Sequence, residues 1–226
     1  MPTIEPIFQH GIVLMLVAFR LAGVLLFSPI VASAGIPTRA KAFLVITLAA
    51  AVFPTIEPSW HASADMTLAN IAPIMVTETL IGASVGFIAS IPIVAMQLGG
   101  TIMGMQMGLG FASMVDPANG VNVPVLAQIY TITITLLFLV MNGHLVAFEV
   151  FIESFYTLPI GLEGLGQDGV WALAHRISWM FASAMLLALP AVTAALIVNI
   201  SFGVMTRAAP QMNIFALGFP IGLIFG

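Results

Sequence analysis

The sequence predicts an all-α integral membrane protein, and three observations carry that prediction. Hydrophobic residues make up 61% of the 226 residues and charged residues only 6%, against roughly 25% charged in an average soluble domain. Mean hydropathy is +1.15. Several apolar runs approach or exceed the roughly 20 helical residues that cross a hydrocarbon core of about 30 Å. The net charge of -4 comes from five basic and nine acidic residues, too sparse for the basic stripe that nucleic-acid binding requires. With no cysteine, disulfide frameworks, thiolate metal sites and cysteine nucleophiles are excluded.

The first run, residues 7–34, is long enough to span and holds one charge near its middle, Arg20. No basic leader precedes it, so it is expected to stay in the mature protein rather than act as a signal peptide. A loop with Gly35, Pro37, Arg39 and Lys41 follows. Residues 42–53 form a run of only about 18 Å as a helix, short for an independent span and expected to rely on partners. Residues 54–70 read as a polar, acidic connection, and residues 71–96 as a third run carrying Glu78 and interrupted by Pro92.

Between Met103 and Val125 the membrane pattern breaks. Met103, Met105, Met107 and Met114 stand among glycines, followed by Asp116-Pro117 and Asn119-Gly120. Proline disfavours helix at the residue before it, Asn-Gly favours turns, and methionine supplies soft, adaptable apolar bulk. Methionine can also simply fill a core, but the alternation of Met103, Met105 and Met107 would scatter them over several helix faces beside glycines that weaken a helix. We read a deformable closure here. The four-residue spacing of Gly100, Gly104 and Gly108 divides the stretch: residues up to Gly108 continue a close-packed helix, and residues 109–122 form the closure.

A fourth run, residues 123–141, is uncharged and ends at the turn signal Asn142-Gly143-His144. Residues 145–155 are amphipathic, with Glu149 and Glu153 one helical turn apart, which suits an interfacial or subunit-facing helix. Residues 158–170 read as a Gly-rich acidic loop, residues 173–205 as a long run bent or broken near Pro190, and Arg207 to Gln211 as a short turn. The final run ends inside an apolar stretch, so the natural chain is expected to continue. With six crossings, Arg39, Lys41 and Arg207 fall on one side and both acidic loops on the other, which makes the basic side cytoplasmic.

Glycines at 82 and 86, and at 100, 104 and 108, align small residues on one helix face, where a neighbouring backbone can approach closely. Arg20 and Glu78 lie deepest in apolar runs, where an unpaired charge costs several kcal/mol. They form either an ion or proton site or a neutralised pair that fixes how helices or subunits dock. The second reading is preferred, because a proton-coupled transporter needs several coordinated polar groups at mid-depth and only these two occur. No metalloprotease, nucleophile-elbow or P-loop motif is present, and His10, His61, His144 and His175 lack metal-ligand spacing. We therefore expect no enzyme activity, no cofactor and no metal.

Motifs along most of the chain resemble one family. Arg20 with Pro29, Pro37 and Lys41 begins the pattern, and Gln106 to Leu126, QMGLGFASMVDPANGVNVPVL, continues it. Asn142-Gly143-His144, Ser154-Phe155 with Leu158-Pro159, and Asn199 to Pro220 with its RAAPQMNIFALGFP segment complete it. The sequence is similar to the FliR family, the flagellar branch of the export-gate subunits shared with the T subunit of type III secretion injectisomes.

The resemblance implies one helical-hairpin protomer of a helical pore assembly in the bacterial inner membrane, at the flagellar basal body. One copy would join several of FliP and FliQ, other export components and lipid, to pass unfolded proteins. Much of the subunit would stand out of the bilayer plane. Residues 1–96 would be a FliQ-like hairpin portion. Residues 97–226 would hold the plug and a FliP-like portion that lacks the relatives' polar tail. The plug, residues 108–122, carries Gly108, Gly110, Phe111, Met114, Asp116, Pro117, Asn119 and Gly120, with Met105 and Met107 beside it. Arg20, Glu78, Gly82, Gly86, Gly100, Gly104 and Arg207 are expected to serve assembly and helix packing. The alternative is a secondary transporter of a small solute, with its site at Arg20 and Glu78.

Overall fold

A computed structural model describes residues 4–28, 31, 36–60, 68–109 and 124–208. All regular structure among them is helical: α1 (Ile4–Phe27), α2 (Thr38–Trp60), α3 (Leu68–Gln106), α4 (Val125–Val140), α5 (Gly143–Thr157) and α6 (Gly166–Ala208). Four of these are long and apolar enough to cross a membrane, through Gln9–Phe27, Thr38–Ile56, Asn70–Gln106 and Gly166–Ala208, and α4 with α5 adds a fifth as one broken span. The protein is thus an all-α, multi-pass membrane protein.

Helix ends follow local chemistry. The carbonyl of Pro37 accepts from the amides of Ala40 and Lys41, so α2 starts at Thr38, and Arg39 and Lys41 lie in its first turn rather than in a loop. At the other boundary α3 stops in a Schellman motif. Gly108, at φ 80°, donates to the Met105 carbonyl, and Leu109 donates to the Gly104 carbonyl. Glycine takes this left-handed position without the Cβ penalty. Asn142 turns the chain between α4 and α5 at φ 57°, and its carbonyl accepts from Leu145 and Val146.

Four boundary expectations are corrected. The run at 42–53 belongs to a 23-residue helix that passes Pro54 and is long enough to span. Within it Thr55 Oγ1 donates to the Val52 carbonyl, and Tyr156 Oη donates to the Thr55 carbonyl. α3 continues through Pro92 for 39 residues, and α6 is not broken at Pro190 but runs through it for 43. α6 also absorbs the end of the expected 158–170 loop and carries Arg207 in its last turn. A proline inside a helix leaves the carbonyl four residues earlier, that of Leu186 for Pro190, without its donor, and membrane helices tolerate this through local adjustment and neighbouring groups.

The chain divides into two compact units, residues 1–91 with 138–176 and residues 92–137 with 177–226. The first has a conventional apolar core. In α1 the buried positions are Val13, Leu16, Val17, Leu21 and Val24, a stripe at i, i+3, i+4, i+8 and i+11 that marks one helical face. Ala49, Val52 and Ile56 of α2, Ile74 of α3 and Phe151 and Phe155 of α5 pack with it.

The second unit is closed by small residues. Gly99 lies so near α6 that a Cβ would meet Leu187 and the Ala184 carbonyl, and a Cβ on Gly100 would meet the Ala127 backbone of α4. Large side chains such as Ile132, Leu186, Ile197 and Val204 remain exposed.

Candidate functional site

Arg20 falls on the buried stripe of α1, between Val17 and Leu21, and is itself fully buried. Glu78, also fully buried, occupies the matching stripe of α3, four residues from Ile74 and from Gly82. Those glycines explain how the two side chains meet. A Cβ on Gly82 would meet the Arg20 carbonyl, a Cβ on Gly86 the Val24 carbonyl, and a Cβ on Gly23 the Thr79 carbonyl. Backbone therefore rests directly on backbone where α1 crosses α3.

From that crossing Arg20 reaches two other elements. Its Nε donates to Glu78 Oε2 at 2.6 Å, Nη1 to the Ser154 carbonyl at 2.8 Å and Ser154 Oγ at 3.2 Å, and Nη2 to the Leu158 carbonyl at 2.9 Å. The guanidinium stacks on Phe155 with Cζ 4.1 Å from the ring centroid. Ser154 and Leu158 bracket the C-terminus of α5, where the dipole favours a cation and the last carbonyls run out of helical donors; the Ser154 carbonyl also accepts from the Leu158 amide. Only the planar, many-donor arginine fork serves a carboxylate and two carbonyls together.

The segment after α5 is fastened a second time. Thr77 Oγ1 lies 3.0 Å from the Gly161 carbonyl and 2.8 Å from that of Ile74, sharing one proton between them. Ile160 is buried in the core. Glu78 Oε1 has no hydrogen-bond partner. The arrangement ties α1, α3 and the end of α5 together, with most of the cation's donors consumed by protein acceptors.

The other residues singled out from sequence are placed as follows. Gly104 faces Pro124, the residue before α4. Met103 is buried, Met105 is exposed and Met107 is half-buried, so consecutive odd positions point to different faces. Arg207 is exposed on α6. Gly110, Phe111, Met114, Asp116, Pro117, Asn119 and Gly120 lie outside the described residues. Among the described residues no group of three or more His, Cys, Asp or Glu is placed to hold a metal ion.

Residue-by-residue reading missed Ser154, Leu158, Phe155 and Thr77 as members of the site. The signal existed for three of them, because Ser154-Phe155 and Leu158 stand among the family motifs. Thr77 had none.

Comparison with known proteins supplies the deciding observation: residues 12–226 match the model of the bacterial export proteins, family 1. The chain belongs to that family. It is 36% identical to the flagellar biosynthetic protein FliR of Escherichia coli (strain K12) over 92% of this chain and 78% of that protein. Identity to FliR of Bacillus subtilis (strain 168) is 26% over 92% of this chain and 80% of the relative. The surface presentation of antigens protein SpaR of Salmonella typhimurium matches at 27%, over 89% and 75%. The Arg20 hub is therefore a feature of an export-family member, and the FliR and SpaR relatives match it over most of this chain.

Proposed function

We propose that this chain is the FliR-type subunit of the flagellar export gate, helping to form and close the channel that passes unfolded proteins across the inner membrane. The observation that carries the proposal is the family match, which runs from α1 to the last residue given. Helix dimensions support it. Along its own path α6 is about 64 Å long at 1.5 Å per residue, twice a hydrocarbon core of about 30 Å. Tilts of up to about 40° do not absorb that excess. Lipid therefore covers only part of its exposed apolar surface, and protein partners cover the rest.

In this reading those partners are FliP and FliQ, with one copy of this chain per complex. Residues 1–96 form the FliQ-like portion and residues 97–226 the plug and FliP-like portion. The Arg20–Glu78 hub holds the first helices in the geometry that the assembly requires. Residues 108–122, with Phe111, Met114 and Asp116-Pro117, form the plug, with Met105 and Met107 beside it, and an engaged substrate displaces it. A pore that admits an unfolded chain must otherwise exclude ions, and soft apolar bulk on a glycine-rich segment suits that task.

Deletion of residues 111–120 is expected to raise ion leakage through the assembled complex, measured as conductance in a planar bilayer. Native conductance in that deletion would refute the plug assignment.

A further inference from the structure

Two acidic residues of α5 take no part in the hub. Leu145, Phe148, Glu149, Ile152, Glu153 and Tyr156 line an open groove along one side of that helix, at the i, i+3, i+4, i+7, i+8 and i+11 positions of a single stripe. This stripe is distinct from the one that Phe151, Ser154 and Phe155 bury in the core. Glu149 and Glu153 are exposed one turn apart, with Leu145 and Ile152 as apolar neighbours. Tyr156 directs its hydroxyl to the Thr55 carbonyl, so it serves neither carboxylate. Among the described residues neither carboxylate has an ion-pair or hydrogen-bond partner.

The hub fixes how deep these carboxylates lie. The membrane-crossing segment of α1 is Gln9–Phe27, with Ala18 at its middle, so Arg20 is only about 3 Å from the centre along the axis. Arg20 Nη1 donates to the Ser154 carbonyl at 2.8 Å, and Ser154 directly follows Glu153. Where α1 crosses the bilayer, the backbone of Glu153 therefore lies in the central part of the hydrocarbon core. Glu149 is one turn away, about 6 Å along α5. Both remain within the roughly 15 Å half-thickness of that core.

Charge decides what covers such a stripe. An ionised carboxylate that faces acyl chains at this depth is strongly disfavoured, and charges inside a membrane face protein and pair with one another. A cationic lipid headgroup stays at the interface and does not reach them. A second copy of this chain does not match either. Its basic residues are Arg20, Arg39, Lys41, Arg176 and Arg207, Arg20 is engaged by the hub, and no two of the five stand three or four positions apart. No helix of a second copy therefore presents two cations at the pitch of Glu149 and Glu153. We infer that this stripe of α5 docks a helix of a different membrane subunit, one that carries two Lys or Arg residues a turn apart among apolar residues. The carboxylates accept charge-assisted hydrogen bonds from those cations, and Leu145, Phe148 and Ile152 pack against the apolar flank. The inference rests on the proposed assembly with other membrane subunits, not on the plug, and it names the chemistry of the surface that one of those partners brings.

The test uses the full chain in the membranes of the organism that encodes it. A photo-crosslinker at position 152, between the two carboxylates, is expected to give an adduct with a membrane helix of another subunit, at a peptide within one turn of a Lys or Arg. Glu149→Gln with Glu153→Gln should lower co-purification of that same subunit at least fivefold, and Glu149→Asp with Glu153→Asp should restore at least half of it. Val146→Ala with Val150→Ala, exposed on α5 outside the stripe, should leave recovery within twofold of native. The crosslink is read with both glutamates present, so it decides the case even where the double glutamine variant does not fold. An adduct with lipid alone, with a second copy of this chain, or with a peptide that holds no basic residue would overturn the inference. So would native recovery in the double glutamine variant, or an equal loss in the double alanine variant. If the native chain brings down no other membrane subunit, the proposed assembly itself falls, and this inference with it.

Discussion

Both compact units bring helices together through glycines, but only the first adds a core of large side chains. In the first, large apolar side chains of α1, α2, α3 and α5 bury one another and enclose a fully buried ion pair. In the second, glycines and alanines make the contacts: Gly99, Gly100, Ala127, Ala184 and Ala188 lie inside while Leu186, Ile197 and Val204 point outward. Within lipid, where apolar burial gains little, close backbone approach supplies van der Waals contact instead. The lesson is that the first unit is fastened by a buried core and an ion pair as well as by glycines, while both units leave large apolar side chains exposed, such as Phe43 and Val140 in the first and Leu186 and Val204 in the second.

Removing one partner of the buried pair is the strongest way to break that contrast. Arg20→Ala or Glu78→Ala leaves an uncompensated buried charge and should cost about 3–5 kcal/mol, read as lost folded chain in thermal unfolding in detergent. Joint replacement, Arg20→Met with Glu78→Leu, removes the lone charge but still leaves the Leu158 carbonyl without its arginine donor and the Ser154 carbonyl with the Leu158 amide alone, so it should recover only part. A loss below about 1 kcal/mol for both single variants would mean that the hub does not anchor the unit.

A smaller effect sharpens the role of backbone contact. Gly82→Ala drives a methyl into the Arg20 carbonyl and should destabilise by about 1–3 kcal/mol through overpacking. Gly203→Ala, also within a helix but with nothing within 4 Å, should stabilise by up to about 1 kcal/mol, since alanine is the better helix former. Equal responses at the two sites would count against the close crossing.

The smallest change in stability is expected on the outer face of the second unit. Ile197→Ser, at a side chain 65% exposed, should shift stability by no more than about 0.5 kcal/mol. Its effect should appear in co-purification with membrane partners, which is predicted to fall. Unaltered recovery of the complex would show that this position faces lipid.

Much of this was legible beforehand in particular residues. Arg20 and Glu78 are conspicuous because ionised groups are rare in apolar runs, and Gly82 and Gly86 are conspicuous through their four-residue spacing. Gly108 signalled the end of a helix, and a glycine at a left-handed C-terminal position is what stops α3. Helix boundaries were less legible. Reading the end of an apolar run as the end of a helix cut α2 to half its length and placed Arg39 and Lys41 in a loop. Hydropathy reports where a helix can meet lipid, whereas backbone hydrogen bonding continues past polar residues and prolines alike.

Composition, charge spacing and family motifs therefore determined by themselves that this is an all-helical membrane protein of a bacterial export family, because those properties reside in residue types and short intervals. Only the tertiary structure decided what Arg20 holds. Two of its acceptors are main-chain carbonyls at the end of α5, more than 130 positions away. A carbonyl has no letter in the sequence, so its need for a donor becomes visible only when the helix ends there and α1 lies beside it.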